Sequence, residues 1–508
     1  MPGMLASFMA SGDVSAQYDM LVVGGGINGA AIARDAAGRG ARVLLAEQHD
    51  LAAHTSSAST KLIHGGLRYL ESYEFRLVRE SLVERERLMA AAGHLIRPLQ
   101  FVVPHDRAMR PAWMMRAGLW LYDLLGAGSS LPRSRGVRLA GAGFAAPLQA
   151  RVVRGFTYWD CWGDDARLTV ACAQDAAARG ARVLNYTRVE RAWRVEGGWR
   201  AELTGRNGSE TVDARVLVNA TGAWAEGFLE GASGRASSDR LRLVKGSHIV
   251  VPRLYEGEHA YLLQNPDGRI VFAIPYEGRF TLIGTTDVAW AGAPDRVAID
   301  AAEVAYLCEA AGRWFVRPPT PGDVVWAYAG VRALHDDAQA NVSKVSRDYV
   351  LAVDGAPGEA PVLSVFGGKI TTHRALAEHA LDKLSAALPG LGAPWTGRAP
   401  LPGGDVGAAG MKGLIARLSE RAPFLDGATV QRLARAYGSR VFEMLGEARS
   451  PGDLGEAFGA GLSEREVRYL IAREWARTAE DILWRRSKLG LHLSPGEAAR
   501  LAAWLDAI

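Results

Sequence analysis

Two hydrophobic periods alternate along the 508-residue chain, and the switches between them mark its elements. Residues 20–23 (MLVV) are a short unbroken apolar run that stops at glycines, the pattern of a parallel strand buried on both faces. Residues 30–38 continue at helical spacing, and residues 42–46 (RVLLA) form a second strand that ends at Glu47. The same helix-to-strand return is predicted further on, where RGARVLNYTRVE echoes RGARVLLAEQHD and Gly180 to Leu203 alternates as sheet. ARVLVNATGAW (214–224) is another apolar strand, closing on small residues. KGSHIVVP (245–252) and IVFAIPYEGRFTLIGTTD (270–287) read as antiparallel strands, the latter a hairpin turning at Glu277-Gly278-Arg279. PVLSVF (361–366) runs through Gly367-Gly368-Lys369 into a helical pattern, and helical periodicity dominates from about residue 401 onward.

The first strand–turn–helix carries Gly24, Gly26 and Gly29 at G-x-G-x-x-G spacing, with Ile27 and Asn28 between the last two. Such glycines make the tight turn, admit backbone close to a pyrophosphate and let helix and strand pack closely. The helix N-terminus offers free N–H groups to phosphates, and an acid at Glu47 accepts ribose hydroxyls. NAD and FAD both satisfy this unit. A second strand–glycine–helix site, Gly368-Lys369-Ile370-Thr371, lies over 300 residues later. A long flavin spanning the molecule needs such a return and a simple NAD unit does not, so FAD is the expected cofactor.

Its expected contacts extend to the hydroxyl- and glycine-rich loop HTSSASTKLIHGG, through Thr55, Ser56, Ser57, Ser59, Lys61, His64 and Gly65, and to Ala220, Thr221 and Gly222. The predicted fold is therefore α/β, with three parts. A Rossmann-like FAD-binding domain, discontinuous over about 18–75, 150–240 and 340–400, is interleaved with an antiparallel-sheet substrate domain over about 76–149 and 241–339. A helical C-terminal domain covers 401–508. Residues 1–17 have neither a basic n-region nor a sustained apolar core and read as an N-terminal extension without a secretory signal.

Composition adds little. A hydrophobic fraction of 48% and a charged fraction of 22% are ordinary for a globular protein. The net charge of +4 suits an anionic substrate or membrane surface. Basic residues are interleaved with acids, and no aromatic–basic recognition pattern appears, so no nucleic-acid partner is expected. Cys161, Cys172 and Cys308 show no metal or redox spacing; they suit a reducing compartment, and no metal site is expected.

Several long stretches together resemble the bacterial aerobic FAD-dependent glycerol-3-phosphate dehydrogenases: GGGINGAAIARDAAGRG, TSSASTKLIHGGLRYLESYEFRLV, RPAWMMRAGLWLYD, DCWGDDARL, VNATGAW, KGSHIVVP, IGTTD and FGGKITTHRALAEHA. The resemblance runs from about residue 18 to the C-terminus. It implies oxidation of sn-glycerol 3-phosphate to dihydroxyacetone phosphate, with electrons passing through FAD to ubiquinone or menaquinone. It further implies a homodimer, peripheral on the inner, cytoplasmic face of the cell membrane. An oxidase that passes electrons to oxygen and forms hydrogen peroxide is the alternative.

A phosphorylated polyol needs cations for its phosphate and an acceptor for its hydroxyl proton. Arg68 in GGLRYL, Arg332 in YAGVRAL and Lys369 in FGGK are the phosphate candidates, with Tyr69 as a hydrogen-bonding neighbour. His248 in KGSHIVV is the favoured proton acceptor, with His64 and His373 as rivals, and Arg332 and Lys369 join it as expected catalytic residues. Here the chain reads GVRAL and TTHR where related sequences often read GVRPL and TTYR, which bears on the turn beside Arg332 and on any role at position 373. RPAWMMRAGLWLYDLLG (110–126) forms either an interfacial helix or a buried one.

Overall fold

The computed structural model describes residues 17–106, 110–141, 143–206, 208–233, 240–336, 348–356 and 358–508. The expected N-terminal extension, apart from Gln17, lies outside them. The described residues form two large sheets and, beyond residue 400, a helical domain.

In the first sheet, Tyr18–Val23 lies at the centre between Val43–Ala46 and Gly208–Asn219, parallel to both. Arg182–Leu184 and Val362–Phe366 extend the parallel set on either side. Alternation sends Met20 and Val22 to one face and Leu21 and Val23 to the other. The first pair packs under helices Ile27–Gly38, Asp165–Ala178 and His373–Leu384 through Ala30, Leu168 and Leu376. The second pair packs with Trp199, Leu203 and Val212 of the antiparallel strands Gly198–Gly205 and Gly208–Asn219. Both faces are dry, as the unbroken apolar run predicts.

The ten-stranded second sheet is built on Leu241–Pro252, paired along its length with Trp326–His335 and on its other edge with Phe280–Gly284 and Val288–Ala289. The expected hairpin is present: Ile270–Tyr276 pairs with Phe280–Gly284, and Glu277 and Gly278 both have positive φ at its turn. Leu62–Ile63 and Arg154–Gly163, inside spans assigned above to the nucleotide-binding part, pair in this second sheet.

Beyond residue 400, helices Gly410–Arg421, Gly427–Tyr437, Glu464–Glu474 and Pro495–Asp506 enclose their own core, with a short hairpin, Ala457–Gly459 and Leu462–Ser463, between them. Buried ion pairs dock this unit on the first sheet. Asp50 accepts from Arg485 at 2.7 Å and Arg486 at 2.6 Å, and Arg167 pairs with Glu474. These carboxylates are sealed from water, so each depends on its arginine.

Candidate active site

The turn after Tyr18–Val23 is held open by absence of side chains. Gly24 has φ +111°, and a Cβ there would overlap Ala220 O, while one at Gly29 would overlap Gly24 O. The helix N-terminus at Gly26 lacks a side-chain cap of its own; Ile27 N instead donates to Ser56 Oγ at 2.9 Å. At the end of the next strand, buried Glu47 accepts from Gly25 N (2.6 Å) and His49 N (2.8 Å), and burial raises its carboxyl above the usual range. Asn28 Nδ2 donates to Gly367 O at 3.2 Å, stitching the first glycine turn to the second across the sequence. Asn28 Oδ1 is buried with no hydrogen-bond partner.

These turns bound a cavity of about 800 Å³. Gly24, Gly26, Ile27, Asn28, Glu47, Thr55, Ser56, Ser59, His64, Ala220, Thr221, Gly222, Gly368, Lys369, Ile370 and Thr371 all line it, as do Tyr69, His248 and Arg332. Gly29, Ser57, Lys61, Gly65 and Arg68 are not on its wall. Lys61 lies behind it, 1% exposed, with Nζ donating to Ser57 O at 2.6 Å and to both Asp165 oxygens at 2.8 Å. Gly65 N donates to Tyr122 Oη at 2.8 Å. His64 N donates to Thr371 Oγ1 at 3.2 Å, so the hydroxyl-rich loop is tied to the second glycine turn.

The far end of the cavity is floored by the two long strands of the second sheet. Their register sets His248 opposite Tyr328, Gly246 opposite Gly330 and Val244 opposite Arg332. Period-two alternation puts all six on the same face, and the two glycines leave room for the Arg332 guanidinium over Gly246 and for Ala58 over Gly330. His248 stacks on Tyr328 at 4.8 Å and lies where a Cβ at Gly284 would otherwise be. Its Nε2 is 2.9 Å from Thr60 Oγ1, while Nδ1 is buried and has no partner. Burial, reinforced by the cations Arg332 and Lys61, pushes its pKa well below the ordinary histidine value, so the imidazole is neutral.

Arg332 lies over Gly246, donating to Thr285 Oγ1 at 3.0 Å and Thr286 O at 3.4 Å and pairing with Asp287. Arg68 approaches the same carboxylate, at 3.7 Å. Lys369 Nζ rests 4.6 Å from the centre of the Tyr69 ring and donates to Ser81 Oγ at 3.1 Å. Of the rival histidines, His64 lines the cavity with its pKa driven to about 3 by burial next to Lys369. His373 does not line it; its Nδ1 is 2.6 Å from Ile370 O, and Cys172 Sγ is 3.8 Å from Nε2.

The sequence family described as FAD dependent oxidoreductase matches residues 19–374, and the C-terminal domain of alpha-glycerophosphate oxidase matches residues 395–503. The chain belongs to the FAD-dependent oxidoreductases. It is 53% identical over 490 residues to a glycerol-3-phosphate dehydrogenase of Pseudomonas aeruginosa, covering 96% of this chain and 95% of that one. It is 48% identical to the aerobic glycerol-3-phosphate dehydrogenase of Escherichia coli, over 96% and 97% of the two chains. The same 48%, with the same coverage, relates it to a D-erythritol 1-phosphate dehydrogenase of Brucella abortus. In structure it is similar to a glycerol-3-phosphate dehydrogenase of Bacillus halodurans complexed with FAD, with a TM-score of 0.72, 27% identity, and coverage of 97% and 94%.

FAD is the cofactor of this family, and the cavity fits it. Glycines 24 and 29 leave backbone room, the helix starting at Ile27 presents N–H groups, Glu47 lines the cavity at the end of the second strand, and unpartnered Asn28 Oδ1 can accept a donor.

Sequence reasoning missed Thr60, Tyr328, Thr285 and Asp287. Tyr328 was within reach, because WAYAGVR at period two places it on the face of Arg332. Asp287 ends the quoted IGTTD stretch, but its arginine partners come from distant segments and leave no local signal.

Proposed function

We propose that this protein oxidises sn-glycerol 3-phosphate to dihydroxyacetone phosphate, with electrons leaving through FAD to a membrane quinone. The supporting observation is that a neutral buried imidazole, an arginine and a lysine all line the cavity that fits FAD. Bound FAD supplies a two-electron acceptor for the C2 hydride. His248 takes the hydroxyl proton, its ring held by Tyr328 and Thr60, and the C2–OH becomes a carbonyl. Arg332, Arg68 and Lys369 balance the phosphate charge, and Tyr69 offers its hydroxyl beside Lys369.

Two other outcomes have a specific basis. The match of residues 395–503 to an oxidase C-terminal domain favours oxygen as acceptor, and the Brucella relative favours a four-carbon polyol phosphate. Anaerobic turnover with a soluble ubiquinone or menaquinone analogue, measuring dihydroxyacetone phosphate against quinol, tests the main reading. One-to-one formation supports it. Hydrogen peroxide in air without quinone reduction selects the oxidase, and faster turnover of D-erythritol 1-phosphate selects the longer substrate.

The same reading places the protein, as a homodimer, on the inner face of the cell membrane. Among the described residues no helix is long and apolar enough to cross a membrane. Helix Ala112–Leu125 supports peripheral contact. Leu119 and Tyr122 are buried, whereas Trp113, Ala117, Trp120 and Leu124 form a second apolar stripe on the exposed side. Exposed Arg133, Arg135 and Arg138 follow Ser134's neighbourhood, where Arg116 and Asp123 are anchored. Tryptophan and arginine together suit an anionic lipid interface. Replacing Trp113 and Trp120 by Ser is expected to reduce sedimentation with phosphatidylglycerol vesicles while leaving turnover of a soluble quinone analogue intact. Unchanged sedimentation excludes this helix as the contact.

A further inference from the structure

Asp287 is the carboxylate that joins two of the site's arginines. Its carboxylate is 11% exposed, and its two oxygens face arginines from separate parts of the chain. Oδ1 pairs with Arg332 of the second-sheet floor, and Oδ2 is 3.7 Å from Arg68 of the Leu67–Ser72 turn. The two guanidinium groups repel each other, and an anion between them lowers that repulsion. Thr285 and Thr286 grip Arg332 from the same loop, so that cation is anchored to the sheet independently. Arg68 has a different situation. It is 32% exposed, stands outside the cavity wall, and follows Gly66 at φ +84°.

We propose that Asp287 is a positioning residue that draws Arg68 up to Arg332, so that both cations act on one phosphate. This rests on the functional reading above. Asp287 therefore governs recognition of the phosphate and has no part in oxidation at C2. Its loss weakens binding of substrate and of the reacting state alike, which raises KM and leaves kcat nearly unchanged.

The test uses the FAD-loaded enzyme and the variants Asp287→Asn, Asp287→Glu, Arg68→Ala and Arg68→Ala/Asp287→Asn. Asp287→Asn is expected to raise KM for sn-glycerol 3-phosphate roughly tenfold or more, with kcat within about threefold and kcat/KM for unphosphorylated glycerol unchanged. Asp287→Glu, which keeps the charge, recovers most of the loss. Calorimetric titration with inorganic phosphate shows the same order without turnover. In the Arg68→Ala background the Asp287→Asn effect shrinks, because the residue through which it acts is gone. Equal losses with glycerol and the phosphate ester, or full additivity of the two substitutions, overturn the proposal. So does Asp287→Asn with unchanged KM while Arg332→Ala and Arg68→Ala each raise it, and in that case the phosphate reading stands. If neither arginine variant affects KM, the functional reading fails as well. Should Asp287→Asn lose FAD or fail to fold, Asp287→Ser, which also removes the charge but with a smaller side chain, carries the same additivity test in the Arg68→Ala background.

Discussion

At the scale of single residues, the site is governed by what each polar group finds as a partner. His248 stacks on an aromatic ring beside a threonine hydroxyl, and burial first, then the cations Arg332 and Lys61, favours its neutral imidazole. A base already neutral well below pH 6.5 leaves no histidine step near that pH. The acid limb of kcat, which omits the free substrate phosphate's own titration at about pH 6, is therefore expected clearly below 6.5, and a limb at 6.5 contradicts the assignment of His248. His248→Gln keeps a hydrogen-bonding side chain but removes the base, with an expected loss in kcat of about 10²-fold or more, the usual contribution of a positioned base. Glu47 and the first glycines were legible because their roles are set within one strand–turn–helix unit. Lys61 looked like a cofactor contact from its neighbours in sequence, but Asp165, far along the chain, holds it behind the wall. Such pairings depend on how elements stack, which local pattern does not encode.

At the scale of elements, period and turn chemistry carried most of the architecture. The dry faces of Tyr18–Val23, the hairpin turning at Glu277-Gly278 and the helical tail all follow from apolar spacing. What spacing did not give was sheet membership. Arg154–Gly163 joins the second sheet because Ile96–His105 supplies a partner along its whole length, and pairing of distant strands is invisible in a single strand's sequence. Helix 112–125 was ambiguous for a related reason. Its sequence is apolar around most of its circumference, and only the position of its neighbours decides which stripe is covered. The contact between helix Ile27–Gly38 and the glycine turn is the tightest element-level prediction. Gly29→Ala forces that helix away from Gly24, an overpacking cost of about 1–3 kcal/mol. The purified variant is expected to retain less FAD and to melt several degrees lower; full FAD content contradicts the close-packing role.

At the scale of the whole molecule, the two sheets share one cavity, and sealed charges join the helical domain to the rest. Burial holds His64 and His94 at about 3 and His373 at about 4, and His248 also lies well below its ordinary value. Unfolding returns all four toward 6.5, so between roughly pH 4 and 6.5 these histidines bind more protons in the unfolded chain, opposed in part by buried carboxyls held up in the native state, Glu277 at about 7 among them. Stability then rises with pH across that window and levels off above it, each histidine contributing up to about 1.4 kcal/mol per pH unit. Melting temperature measured from pH 5 to pH 8 is expected to climb and then flatten; a flat profile from 5 to 6.5 contradicts the buried neutral histidines.

The central claim is that one cavity brings FAD together with the carbon of a phosphorylated polyol. The anaerobic visible spectrum of the FAD-loaded protein, before and after sn-glycerol 3-phosphate, tests it most directly. Bleaching of the oxidised flavin band by this substrate, and not by glycerol at the same concentration, is the predicted result. An unchanged band with both compounds contradicts the substrate and its chemistry, and equal bleaching by both contradicts the role given to the arginines and Lys369.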